Sequence, residues 1–172
     1  MPKVTLDEFA STADPLLDDN FEFLIPNPPS ETGGSEYARA LRIMCKTGVK
    51  PGSTVEEVLK EAFGHQLNYA GRKIFSHSLS TEYNENAEMA IYKPLEAWHD
   101  KIRATQTQLG AVKAEYSTKA IFRIFKQDGS VVAEYEIYGV WPKQVPDLQF
   151  SGAAQAVPVS IEWSFDYALR TV

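Results

Sequence analysis

From Val157 to Leu169 apolar and polar side chains alternate almost without interruption. The odd positions are Val157, Val159, Ile161, Trp163, Phe165, Tyr167 and Leu169. The even ones after Pro158 are Ser160, Glu162, Ser164, Asp166 and Ala168. A strand turns successive side chains to opposite faces, so this period of two predicts one strand with an oily face and a polar, acidic face. At about 3.3 Å per residue it would span roughly 40 Å, well beyond the usual strand length. Such a strand needs partners along its whole length and a core to cover one side.

Earlier segments supply those partners. Phe21 to Ile25 predicts a short strand, with Phe21, Phe23 and Ile25 on one side, stopped by Pro26, Pro28 and Pro29. After a Pro- and Gly-rich loop, Tyr37 to Val49 reads as a strand, with Leu41, Ile43 and Cys45 opposite Arg42, Met44 and Lys46. Residues 53–63 are ambiguous. Ser53 and Glu56 make a capping box, and Val55, Val58, Leu59 and Phe63 lie at helical spacing; between strand-like neighbours, an exposed hairpin arm stays open as the alternative. Phe75 to Tyr83 alternates as a strand. Asn84 or Asn86 then caps a helix to about Gln106, whose apolar face is Ile91, Leu95, Trp98 and Ile102 and whose Pro94 marks a kink or a separate first turn. Lys119–Lys126 and Val131–Trp141 flank Asp128-Gly129, a hairpin signal because both residues tolerate positive φ. The tally is an α+β, mainly β fold: an antiparallel barrel or sandwich with one flanking helix, formed by residues 21–172 as a single domain. Residues 1–20 read as an N-terminal arm, in which Thr5 and Glu8 can close a turn around Leu6 and Phe9.

Composition narrows the function. With 3 Trp, 8 Tyr and 9 Phe and an apolar share of 44%, the chain is expected to fold. A formal charge of −6 argues against tight nucleic-acid binding, which depends on neutralising phosphates. The single cysteine, Cys45, allows no internal disulfide. No apolar run is long enough to cross a bilayer, and the acidic start does not read as a signal peptide, so synthesis in the cytoplasm is expected. His65, His77 and His99 are too scattered for a two-ligand motif, and His77 falls on an apolar strand face as a core residue would. No catalytic residues, metal ligands or cofactor are expected.

Several strings, in order and spacing, resemble the tail tube protein of contractile-tailed bacteriophages. They are Tyr69-Ala70-Gly71-Arg72-Lys73, LEAWHDKI at 95–102, FRIFKQDGSVVAEYEI at 122–137, GVWPKQVPDLQF at 139–150 and the alternating C-terminal strand. The similarity runs from Phe21 to about Arg170; the first twenty residues extend beyond the family's usual start. The resemblance implies a virion tail protein, assembled in the host cytoplasm. It would form stacked hexameric rings, with strands joined into a shared inner barrel inside a contractile sheath. Implied partners are other copies of the chain, the sheath protein, the tape measure protein, the baseplate tube-initiator and the tail terminator. DNA would pass through the lumen without specific binding. A type VI secretion tube protein or a baseplate tube-initiator shares the implied fold; a monomeric ligand-binding barrel is the alternative from another class.

On this reading the polar strand faces are expected to line the lumen: Ser76, Ser78, Ser80, Glu82, Glu134, Glu136, Ser160, Glu162, Ser164 and Asp166. A hydroxylic, acidic wall repels or ignores phosphates; on an ordinary monomer the same side chains would merely face water. Val55, Val58, Leu59 and Phe63 are expected to make contacts between rings, or else to pack on their own barrel.

Overall fold

The computed structural model describes residues 16–152 and 154–172. Thr5 and Glu8, the expected turn of the N-terminal arm, lie outside the described residues. The strands, in chain order, are β1 (Phe21–Leu24), β2 (Cys45–Gly48), β3 (Ser53–Ala62), β4 (His65–Phe75), β5 (Ser78–Asn84), β6 (Thr118–Phe125), β7 (Val131–Pro142), β8 (Pro158–Ser164) and β9 (Tyr167–Arg170). The helices are α1 (Ser35–Met44), α2 (Tyr92–Ile102) and the single turn α3 (Lys113–Tyr116). Seven strands form one antiparallel sheet in the order β1-β6-β7-β8-β5-β2, with β9 also paired to β7; β3 and β4 form a separate hairpin. The sheet curls until β1 and β2 approach each other, where Phe21 and Phe122 pack over Gly48. The expected mainly β, antiparallel architecture is present, with two substantial flanking helices rather than one.

Aromatic side chains fill the interior. Trp98 of α2 packs on Trp163 of β8 at 5.6 Å between centroids, Tyr37 of α1 meets Trp98 edge-on, and Phe23 leans on Trp163. Leu79, Tyr83, Phe122, Ile137, Val159 and Ile161 belong to the same cluster. Among the described residues the interior is filled by these packed side chains.

Four local expectations need correction. The alternation at 157–169 is not one strand: β8 ends at Ser164, the chain turns at Phe165-Asp166, and β9 runs beside β7 instead. Asp166 N–H donates to Tyr138 O (2.9 Å), next to Gly139, whose φ of +69° lets β7 bulge there. Burial of the odd positions therefore holds only to Phe165; Tyr167 and Leu169 are exposed. The 75–83 strand also breaks, at His77 (φ +55°), so Phe75 closes β4 while Leu79, Thr81 and Tyr83 enter the core. His77 is not a core residue: it is exposed, and its Nδ1 lies 3.0 Å from Phe165 O.

Residues 35–44 are helix, not strand. Glu36, Ala38, Ala40 and Leu41 are good helix formers, Tyr37, Ala38 and Leu41 bury one stripe, and Ile43 points outward. Conversely 53–62 is strand, the hairpin alternative rather than the helix. Pairing along β4, from Ser53↔Phe75 to Ala62↔His65, overrides the helical propensity of its Glu, Leu and Lys residues. Helix α2 starts at Tyr92, which places Pro94 harmlessly in its first turn. The Asn86 carboxamide oxygen accepts Glu88 and Ala90 N–H, and the Glu85 carboxylate accepts Ile91 and Tyr92 N–H ahead of the helix.

Candidate functional site

Cross-strand register decides which polar side chains share a wall. Ser78 lies opposite Ser164, Ser80 opposite Glu162, and Glu82 opposite Ser160. Residues paired across an antiparallel ladder stand on the same face, so these six form one continuous surface outside the barrel. Ser78 Oγ donates to Glu162 Oε1 (2.7 Å), and Lys143 Nζ reaches the same oxygen (2.8 Å). Lys46 Nζ donates to Glu82 Oε1 (3.0 Å). The Lys143 ammonium, then the Ser78 hydroxyl, hold the Glu162 carboxyl below its ordinary value. The wall is thus hydroxyl-rich, with each carboxylate matched by a lysine that periodicity alone did not single out.

The other four expected residues lie elsewhere. Glu134 and Glu136 stand on the half of β7 that pairs with β6 and β9. There Arg123 Nε donates to Glu134 (2.5 Å) and Arg123 Nη1 donates to Glu22 (3.2 Å), while Lys119 pairs with Glu136. Arg123 and Lys119 respectively are the main causes that lower the Glu134 and Glu136 carboxyls. Asp166 binds Lys113 at the β8–β9 corner (2.5 Å), and Ser76 sits in the β4–β5 break, donating to Ser78 O. The ten residues thus fall into one six-membered wall, one ion-paired face and two corners.

The β3–β4 hairpin exposes apolar residues on both sides. Val55, Val58, Leu59 and Phe63 are all more than half exposed, and Leu67 and Tyr69 of β4 join them at 49% and 50%. Tyr69 pairs with Val58, and Leu67 with Lys60. The last two were legible as an alternation in His65-Gln66-Leu67-Asn68-Tyr69, which a helical reading of 53–63 leaves without a partner strand. Arg72 grips Glu56 across the hairpin (2.7 Å), and Gly71 fits under a bulge where a Cβ would stand 3.0 Å from Glu56 O. At the tip, Phe63 (φ +53°) and Gly64 (φ +75°) make a two-residue turn with Phe63 fully exposed.

Burial shifts two groups outside these surfaces. Burial pushes the Cys45 thiol up to about 12, away from thiolate reactivity. The buried Tyr37 hydroxyl is likewise raised, by burial first and then by Glu85.

The profile of the phage tail tube protein family matches residues 18–169. The tail tube protein gp19 of Enterobacteria phage T4 is 31% identical over 107 residues, 61% of this chain; that of phage T6 is 30% identical over the same length. The matched region spans 65% of the length of these relatives. Among solved structures, the sheath/tube terminator of an extracellular contractile injection system (PVC) superposes with a TM-score of 0.68 at 9% identity. It covers 94% of this chain and 100% of that one. The tube-terminating cap of the anti-feeding prophage gives 0.65 at 9% identity, covering 94% of both chains. At such identities these two show a shared fold.

Proposed function

The chain belongs to the phage tail tube protein family, and from that premise we propose that it is a structural subunit of a contractile tail tube, forming hexameric rings that stack and conduct DNA. The observation that carries the reading is the β3–β4 hairpin. A lone two-stranded hairpin is marginal in water, yet this one shows six large apolar side chains to solvent. It makes physical sense as an arm that neighbouring subunits cover, with Val55, Val58, Leu59 and Phe63 making the contacts between rings. The sheet itself also leaves an edge to fill: β8 pairs with β7 only at Trp163 and Ser164, so Pro158 to Ile161 have no strand partner on that side among the described residues. A neighbour's strand there would continue the sheet around a ring and remove an aggregation-prone edge.

In this assembly the wall of Ser78, Ser80, Glu82, Ser160, Glu162 and Ser164 faces the lumen. Hydroxyls and lysine-matched carboxylates offer DNA neither a basic groove nor an apolar platform, so it slides without being held. The ion-paired outer face of β6–β7 is left for the sheath. The tape measure protein, baseplate tube-initiator and tail terminator complete the partner set. The choice of tube over terminator rests on the relatives at 30–31% identity, which are tube proteins.

Negative-stain microscopy of the purified protein tests the assembly. Rings or hollow rods are expected; discrete monomers at high concentration would overturn it. For the lumen, Glu82→Lys with Glu162→Lys in the phage should leave tubes of normal length but impair genome release. Full infectivity of that double variant would remove the lumen assignment.

A further inference from the structure

Between α1 and the start of β1 lies an open cleft of about 610 Å³, lined by Phe21, Glu22, Arg39, Arg42, Ile43 and Phe125. Its chemistry is two-sided. Ile43, 66% exposed on the outward face of α1, stands with Phe21 and Phe125 as an apolar floor. Arg39 and Arg42 make the rim; Arg42 pairs with Glu22, which Arg123 also holds, while Arg39 has no ion pair among the described residues. The cleft therefore calls for a short acidic segment with one or two large apolar side chains.

We propose that the occupant is the chain's own N-terminal extension, with Leu6 and Phe9 on the apolar floor and Asp7 and Glu8 toward Arg39 and Arg42. Two observations select it. First, the chain enters the fold at the cleft: Phe125 N–H donates to Asn20 O (2.9 Å), and Phe21 is itself a lining residue. The residues from Phe9 to Leu16 can reach roughly 25 Å when extended, enough to double back over α1. Second, the charges match. Residues 1–19 carry Asp7, Glu8, Asp14, Asp18 and Asp19 against the single Lys3. Tethered a few residues away, the segment acts at an effective concentration of order millimolar, so modest contacts suffice to keep it in place.

The inference does not depend on tube assembly, and its test is made on the full-length free subunit. With Cys45→Ser and Ala10→Cys, a nitroxide is attached at position 10 and amide signals are recorded below the concentration at which the protein assembles. The expected result is paramagnetic broadening of Ile43 and Phe125 within the labelled chain, and its loss with Arg39→Glu plus Ile43→Asp. Ile43 is exposed, so that pair should leave the remaining spectrum unchanged. Intact Ile43 and Phe125 signals in the labelled protein would overturn the proposal. So would broadening seen only when labelled chains are mixed with isotope-bearing unlabelled ones, which would place a second copy's arm in the cleft.

Discussion

Inside the barrel the Thr81 hydroxyl accepts the Trp163 indole N–H at 2.7 Å, both residues being buried. Thr81→Val removes the acceptor but not the donor, so it should cost about 1–3 kcal/mol, while Thr81→Ser keeps the bond and costs less. Urea titration of the isolated subunit checks the order. The opposite case is Tyr37, whose buried hydroxyl has no hydrogen-bond partner among the described residues. Tyr37→Phe deletes an unpaired polar atom and should leave stability unchanged or raised in the same titration. Gly139 is more sensitive than either. At φ +69° its added Cβ would lie 2.6 Å from Asp166 Cγ, so Gly139→Ala should cost about 2 kcal/mol or more, combining positive-φ strain with displacement of Asp166 from Lys113. Alternation marked Thr81 and Trp163 as inward-facing. That they touch, and that Gly139 lies against Asp166, depends on strands far apart in sequence.

At the level of the element, the hairpin arm presents a conflict between local preference and exposure. A two-residue turn with positive φ at both positions favours Asn-Gly, yet Phe63 occupies the first place with its ring in solvent. Local rules broken at an exposed site are expected where function retains the residue. Phe63→Asn should therefore stabilise the turn, leave the thermal midpoint of the barrel unchanged and reduce assembly into tubes. Calorimetry and sedimentation read the two effects separately, and normal tube yield would argue that the tip makes no contact between rings. Helix α1 teaches a related lesson: a period of two at Leu41, Ile43 and Cys45 coexisted with helical spacing at Tyr37, Ala38 and Leu41, and burial chose the latter. Where a segment is short, two periodicities fit the same letters, and only its packing surface separates them.

Across the whole molecule, three of the carboxyls held low by cations, Glu134, Glu136 and Glu162, help to set an acid limit. A lowered folded value means the stabilisation is complete above the ordinary glutamate value of 4.5 and is lost as pH falls through the lowered folded values. All three are solvent-screened, so the loss should be shallow; replacing them together by Gln should flatten the thermal midpoint between about pH 5 and 3. By itself the sequence determined the mainly β class, the Asp128-Gly129 hairpin, the helix carrying Leu95 and Trp98, and the inward set Val159, Ile161 and Trp163. These follow from side-chain alternation and local turn chemistry, which act over a few residues. Tertiary structure alone decided where the C-terminal alternation breaks, that 53–62 pairs with 65–75 instead of coiling, and that the ten polar residues divide among separate surfaces. Those outcomes rest on register between distant strands and on corners at His77, Gly139 and Phe165, where long-range hydrogen bonds outweigh the pattern along the chain.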